Sequence, residues 1–187
     1  MHIMDRIYKH WTRGTTILGL ILFSTLFLLN GKIDPVNWFL WLNLSIYALH
    51  QFEEFIFPGG FKQELEGQVR GTVSDRAIFF INIIYIWIAL PVFFLLRSVS
   101  PIFPVSILFT VLINALLHIV TAIRQKHYNP GLIVSVILTL PVTSYTILLF
   151  NSMMTVYGFV LSFIIGFILH ATLFVYLFIF PRKRKHV

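Results

Sequence analysis

The residues best suited to chemistry in this chain are one histidine and two adjacent glutamates within an apolar stretch, YALHQFEEFIFPGG at residues 47–60. On an α-helix of about 3.6 residues per turn, His50, Glu53 and Glu54 share one face and lie within one turn. Imidazole and carboxylate groups at this spacing can bind a metal ion or transfer protons. A charged side chain near the centre of a bilayer costs about 2.5–3.5 kcal/mol, so we expect these three residues to serve a function.

Four more polar residues interrupt other apolar stretches. They are two amides and two histidines: Asn82, Asn114, His118 and His170. Asn114 and His118 are four residues apart and therefore share a helix face. Such side chains also serve as hydrogen-bonding bridges between membrane helices, and that purely structural role remains open for Asn82, Asn114 and His170.

Three histidines and two glutamates, in a chain without cysteine, form a ligand set that suits Zn²⁺ or non-haem iron. We predict that one divalent metal, most simply Zn²⁺, is bound by four residues: His50, Glu54, His118 and His170. Glu53 is then expected to act as general base on a metal-bound water. Asn82 or Asn114 is expected to donate a hydrogen bond to the developing oxyanion.

The elements that must position these residues are membrane-spanning helices. Of the 187 residues, 58% are hydrophobic and 11% are charged, whereas about 25% of residues are charged in soluble domains. Apolar stretches of about 20 residues, enough to cross a bilayer as a helix, recur along the chain. We predict an all-α fold, a polytopic membrane protein with a bundle of about six transmembrane helices, in which residues 1–187 form a single domain. The predicted spans are about 14–29, 36–57, 76–98, 102–123, 131–150 and 155–180.

Residues typical of helix starts lie at the beginning of several predicted spans. Asp34-Pro35 and Asn129-Pro130 each place an N-cap residue before a proline at the first helical position. Ser74 can cap the third span in the same way.

Two other features modify the spans. Pro91 and Pro141 lie inside predicted spans, where proline kinks a helix. The polar stretch 61–75 is too short to cross a membrane, so we predict a loop or an interfacial segment there.

The positive charges indicate the orientation of the chain. Six spans place both termini on one side, and of the 14 Lys and Arg residues only Lys32 and Arg97 then fall on the other side. Because positively charged loops stay in the cytoplasm, we predict an integral membrane protein, in the plasma membrane, with both termini cytoplasmic. This distribution accounts for the net charge of +7, and we expect no nucleic acid partner.

This topology brings the polar residues to one depth. His50, His118 and His170 lie five to ten residues before the cytoplasmic ends of their spans, and Asn82 lies in the second turn of the third. At about 1.5 Å per residue, all four lie roughly 7–15 Å below the inner boundary of the membrane. We therefore expect a single site near the cytoplasmic leaflet.

The sequence also resembles the HXXEE family of integral membrane proteins, named for the motif that reads His50-Gln-Phe-Glu53-Glu54 here. The resemblance extends to His170 and to three segments: Phe55-Ile-Phe-Pro58-Gly-Gly-Phe61, Asn114-Ala-Leu-Leu-His118 and Tyr128-Asn-Pro130-Gly131. It implies that these positions form an active site, and it implies no particular substrate. The order of the motif is also similar to the inverted zinc-protease motif, in which the middle glutamate is the general base and the outer pair binds zinc.

We therefore predict a membrane-embedded metal-dependent hydrolase, whose substrate is a lipid or another hydrophobic small molecule that enters from the cytoplasmic leaflet. Two alternatives remain open. In a metal-free isomerase, Glu53 and Glu54 would exchange protons with a sterol-like ligand. In a proton-coupled transporter of small molecules they would relay protons, although the chain shows no internal repeat and carriers place their sites at the midplane. The sequence does not specify the oligomeric state.

Overall fold

Helices account for all the regular structure in the described part of the chain. The computed structural model describes residues 3–69 and 71–179, and within them it contains seven helices and no strand. The helices are α1 Ile3–Leu28, α2 Pro35–Phe55, α3 Phe61–Val69, α4 Asp75–Ser98, α5 Ile102–Gln125, α6 Leu132–Leu148 and α7 Val156–Ile179. The prediction of an all-α fold is confirmed for these residues.

Four of these helices, α1, α4, α5 and α7, are long and apolar enough to cross a membrane, which supports a membrane protein. The predicted number of six spans is therefore confirmed only in part. The polar residues in the second half of α2 lower its mean hydropathy, and α6, with 17 residues, is about 26 Å long, shorter than a hydrocarbon core of about 30 Å. The first helix also begins at Ile3, well before the predicted start near residue 14.

α2, which carries the motif, lies inside the bundle. It contacts α1, α3, α4 and α6, and its buried residues include Asn43, Gln51 and both glutamates of the motif. Asn43 donates a hydrogen bond to Thr146 of α6 and accepts one from Thr143. Because lipid offers no partners for such groups, they are stabilised by the neighbouring helices.

Two of the three predicted helix caps are present. The backbone N–H of Asn37 donates to the Asp34 carboxylate at 3.1 Å, and that of Ala77 donates to Ser74 Oγ at 3.1 Å. The prediction that Asn129 caps α6 is wrong, because its side chain binds His118 instead. Gly131 occupies the cap position and has no side chain to offer.

The two prolines that were predicted to kink helices each follow a π-helical segment, Ile83–Ile88 before Pro91 and Ser135–Thr139 before Pro141. A proline ring clashes with the carbonyl four residues earlier, and in both helices that carbonyl belongs to the π segment. The predicted effect of each proline on its helix is therefore observed as a π-helical segment, whose turns are wider than those of an α-helix.

The segment predicted as a loop or an interfacial stretch contains a helix, α3. Leu65 on its inner face is buried against Val73 and Ile78, whereas Gln63 and Gly67 on its outer face are exposed. One apolar and one polar face are typical of a helix that lies along a membrane surface. α3 contacts α2, the helix that carries the motif.

Candidate metal centre

Near the end of α2, two residues of the motif meet one residue of α5. Glu54 Oε1 lies 3.3 Å from His50 Nε2 and 3.4 Å from His118 Nε2. One ligand atom from each of the three residues lies within 4.8 Å of the others, and all three residues are buried. We refer to His50, Glu54 and His118 as the His-Glu-His cluster. A cluster of this kind could hold a metal ion.

The other ring nitrogen of each histidine has a partner of its own. Asn129 Nδ2 donates to the backbone carbonyl of His118 at 2.8 Å, so Asn129 Oδ1, 2.7 Å from His118 Nδ1, is oriented to accept a hydrogen bond from that nitrogen. Ser135 Oγ lies 3.4 Å from His50 Nδ1. Histidines that bind metals usually donate the remaining N–H to such an acceptor. The contact with Asn129 therefore favours a proton on His118 Nδ1, whereas His50 Nε2 has Asn114 Nδ2 at 3.2 Å beside it as well as Glu54.

Glu53 has other partners than its neighbour Glu54. Its Oε1 accepts hydrogen bonds from the Tyr128 hydroxyl at 2.8 Å and from the backbone N–H of Ile133 at 2.9 Å, and its Oε2 accepts one from Val134 N–H at 2.7 Å. Burial and the hydrogen bond to Glu53 raise the pKa of Tyr128, so its hydroxyl stays protonated and donates. This placement of Glu53 at the first turn of α6 differs from the predicted position beside the ligands as general base.

His170 reaches the same region from α7. It is buried, and neither of its ring nitrogens makes a hydrogen bond with a described residue, although the backbone carbonyl of Thr110 lies near the ring. It lines the same cavity as Glu54 and His118 but is not among the ligand atoms that lie within 4.8 Å of one another. The structure thus brings His170 to the site without including it in the His-Glu-His cluster.

The two predicted amides differ in their contacts. Asn114 Nδ2 lies 3.2 Å from His50 Nε2, next to the cluster. Asn82 accepts a hydrogen bond from Gln51 Nε2 and donates one to the carbonyl of Ile78. Gln51 in turn accepts from Trp87. Asn82 therefore belongs to a bridge between α2 and α4, the structural role that the sequence left open for it.

A cavity of about 120 Å³ opens beside the cluster. Its polar wall includes six residues: Glu54, Asn82, Asn114, His118, Asn129 and His170. Leu117, Leu173 and Phe174 form an apolar wall, and α3 contributes Glu64 and Gln68. None of the described residues that line it is Lys or Arg. Since a water needs only about 10–15 Å³ of such space, the cavity can hold several waters or the polar part of a larger ligand.

Apart from Asn114, the partners of the cluster histidines and of the Glu53 side chain come from one segment, which only the family resemblance had connected with the site. Tyr128, Asn129 and Ser135 lie between the end of α5 and the second turn of α6. For Tyr128-Asn-Pro130-Gly131 the sequence contained a signal of a role in the site, because this segment is part of the family resemblance. Ser135 had none, because a serine in an apolar helix gives no indication of its partner.

The comparisons with known proteins identify a family. A family model described as "Protein of unknown function with HXXEE motif" matches residues 41–146. The matched residues make up more than half of the chain, include the whole His-Glu-His cluster and the segment after α5, and end before His170. No curated protein and no solved structure matches the chain.

Proposed function

This chain belongs to the HXXEE family, and we propose that it is a membrane-embedded metal-dependent enzyme that hydrolyses a lipid or lipid-like substrate. The observation that carries the proposal is the buried His-Glu-His cluster, in which two imidazole nitrogens share one carboxylate oxygen. Three protein ligands with an open position are typical of catalytic zinc sites.

The chemistry of the cluster fits a divalent cation. Two imidazoles and a carboxylate, with no thiolate in the chain, suit Zn²⁺ and also non-haem iron. With both imidazoles neutral, the buried Glu54 carboxylate would carry a negative charge that requires compensation. A bound divalent cation would supply that charge, together with the Lewis acidity that polarises a carbonyl group for hydrolysis.

Other residues of the cavity complete the proposed site. Asn114, next to His50, is the amide that we propose to donate to the developing oxyanion. We keep His170 as a fourth metal ligand from α7, which would leave a fifth position for water, since its buried ring nitrogens make no hydrogen bond with a described residue and it lines the same cavity. Asn82 has a weaker claim to catalysis, because Gln51 and Ile78 already engage its amide.

The surroundings of the cavity support a lipid-like substrate. One wall is apolar, and α3 lines the cavity with Phe61 and Leu65 as well as with Glu64 and Gln68. The absence of Lys and Arg from the described lining favours a neutral polar group over an anionic one. With the termini cytoplasmic, as the Lys and Arg distribution predicts, the substrate would enter from the cytoplasmic leaflet of the plasma membrane.

The isomerase alternative has less support than hydrolysis. It requires Glu53 and Glu54 to exchange protons with one ligand, whereas Glu53 already accepts three hydrogen bonds from Tyr128 and α6. A proton-coupled carrier would need no metal, so the metal content of the purified protein distinguishes it from the metal enzyme.

The first experiment measures that metal content after purification in detergent without chelators. We expect about one divalent ion per chain, and its loss in the His50→Ala/Glu54→Ala double variant and in His118→Ala. His127→Ala, which replaces an exposed histidine, is the matched control and should retain the ion. Wild-type protein without stoichiometric metal, or a double variant that keeps it, would overturn the proposal. Weaker metal binding in His170→Ala would support the fourth ligand, and unchanged binding would remove it.

A second experiment tests hydrolysis. Neutral lipid esters and amides are incubated with metal-loaded protein and with the same protein after chelation. Product release that depends on metal and is lost in Glu54→Gln is expected. Hydrolysis that persists after chelation and in Glu54→Gln would show that the cluster is not the catalytic site.

A further inference from the structure

The segment of residues 128–135 (the 128–135 segment) contacts both histidines of the His-Glu-His cluster. Asn129 holds His118 through its ring nitrogen and its backbone carbonyl, and Ser135 lies beside the ring of His50. A single short segment therefore surrounds the side of the two imidazoles that faces away from Glu54.

Gly131 brings the backbone of this segment against both rings. A Cβ atom at this position would lie 2.7 Å from His118 Cε1 and 2.8 Å from His50 Cε1, which is closer than carbon atoms pack. Its φ of 98° is also a conformation that favours glycine. Because backbone atoms cannot rotate away as side chains do, the position of this glycine limits where the two rings can lie.

Glu53 binds the same segment. It binds the segment near its beginning, through the Tyr128 hydroxyl, and near its end, through the N–H groups of Ile133 and Val134. The first N–H groups of a helix lack partners within the helix, and a carboxylate is favoured there. Within the described residues, Glu53 supplies the side-chain cap that Gly131 at the start of α6 cannot.

We infer that Glu53 is a positioning residue: its carboxylate fixes the 128–135 segment, and this segment fixes His50 and His118 in the orientation that binds metal. The inference rests on the metal site of the proposed function. The two adjacent glutamates of the motif then have different roles, since Glu54 is a ligand and Glu53 orients the other ligands through α6.

This assignment replaces the general-base role that the sequence predicted for Glu53. A general base needs an oxygen that can accept a proton from a group in the cavity. Both oxygens of Glu53 already accept hydrogen bonds, and Glu53 is not among the described residues that line the cavity.

The test uses Glu53→Gln and Tyr128→Phe in the full chain and measures metal binding without any substrate. Glutamine keeps one acceptor oxygen but turns an NH₂ group towards a backbone donor or the Tyr128 hydroxyl. Loss of a partner that orients a ligand typically weakens metal binding about 10–100-fold. We expect a loss of this size in Glu53→Gln, a smaller loss in Tyr128→Phe, and a changed visible absorption spectrum of the Co²⁺-substituted protein in both. The double variant should lose less than the product of the two single effects, because both act on one segment.

Two matched controls separate positioning from general destabilisation. Glu66 also accepts a backbone N–H, that of Val73 at 2.9 Å, and it is not among the described lining residues of the cavity. Tyr157 is 75% exposed. Glu66→Gln and Tyr157→Phe should therefore keep the wild-type metal affinity and Co²⁺ spectrum.

The outcomes distinguish this inference from the proposed function. If wild-type protein binds metal and Glu53→Gln binds it with the same affinity and spectrum, Glu53 does not position the ligands and the inference is overturned. If wild-type protein binds no metal, the proposed function fails. Hydrogen exchange of peptides that cover residues 131–135 then decides the structural step alone. Faster exchange in Glu53→Gln than in Glu66→Gln supports the inferred fixation of the segment, and equal exchange contradicts it.

Discussion

Glu53 and Glu54 are adjacent in sequence, yet their carboxylates bind different parts of the molecule. Neighbouring residues on a helix point about 100° apart, so Glu54 can reach the two histidines while Glu53 reaches the start of α6. Of the two adjacent glutamates of the motif, Glu54 is therefore a candidate ligand, and Glu53 fixes the segment that surrounds the ligands.

Gly131 offers a direct test at the scale of a single residue. Gly131→Ala adds a Cβ that meets both imidazole rings, and alanine at positive φ costs about 1–2 kcal/mol in addition. We expect lower thermal stability in detergent together with weakened binding of Zn²⁺, measured by competition with a chelating dye.

Gly31→Ala is the matched control for that variant. Gly31 also has a positive φ, 75°, but a Cβ there would have nothing within 4 Å. This variant should show the cost of the backbone conformation alone, with wild-type affinity for Zn²⁺. Equal affinity of Gly131→Ala and Gly31→Ala would show that the contact with the rings has no influence on the metal site.

The sequence predicted which helix faces meet but not how each side chain is engaged. His50, Glu54 and His118 could be brought together from their depth, because helical rise and the positive charges determine depth. The rotation of α2 about its axis depends on packing with all its neighbours, and it decides which glutamate faces the histidines. The partners of Glu53 lie 75 to 81 residues away in the sequence, so no local pattern identifies them.

At the scale of elements, local signals predicted two helix caps correctly and failed at a third, where a distant residue intervened. Asp34 and Ser74 cap the helices that follow them, as their positions before a proline or an apolar stretch indicate. Asn129 has the same local signal, but its amide binds His118 and Glu53 caps α6. Asn129 therefore binds a buried imidazole ring instead of the N–H groups at the start of α6.

The ion pair between Asp34 and Arg97 connects the start of α2 with the end of α4. Burial alone would raise the pKa of Asp34, but the Arg97 guanidinium and the backbone N–H of Asn37 lower it below its usual value. A carboxylate with a lowered pKa in the folded state stabilises the fold above its unfolded pKa, near 4. That contribution disappears as the pH falls through the folded pKa.

We therefore expect Asp34→Asn to flatten the dependence of thermal stability on acid pH, measured by unfolding in detergent between pH 7 and pH 3. Asparagine is also a good N-cap, so stability at pH 7 should change little through the cap itself. Asp34→Ala, which removes both functions, should lose about 0.5–2 kcal/mol more. An unchanged acid profile in Asp34→Asn would mean that the ion pair does not contribute to stability.

At the scale of the whole molecule, the fold combines four strongly apolar helices with two that depend on them. α2, over the length of a span, is more polar, and α6 is shorter, than the four helices that are long and apolar enough to cross a membrane, α1, α4, α5 and α7. Both contact the apolar helices, α2 with α1 and α4, and α6 with α5, so their polar groups can be satisfied inside the bundle. If α2 and α6 also cross the membrane, the chain has six spans and the cluster lies near one surface.

The absence of cysteine from the chain allows this topology to be tested one position at a time. Asn30 and Ser152 are exposed residues of the connections before α2 and before α7, and Gly67 and His127 are exposed on the side where the cluster lies. Each is replaced by cysteine, and intact cells are treated with a maleimide that does not cross membranes. We expect labelling of Asn30→Cys and Ser152→Cys from outside, and labelling of Gly67→Cys and His127→Cys only after permeabilisation, because Lys and Arg are concentrated on the latter side. Equal external labelling of Asn30→Cys and Gly67→Cys would show that α2 does not cross, and the same result for His127→Cys and Ser152→Cys would show it for α6.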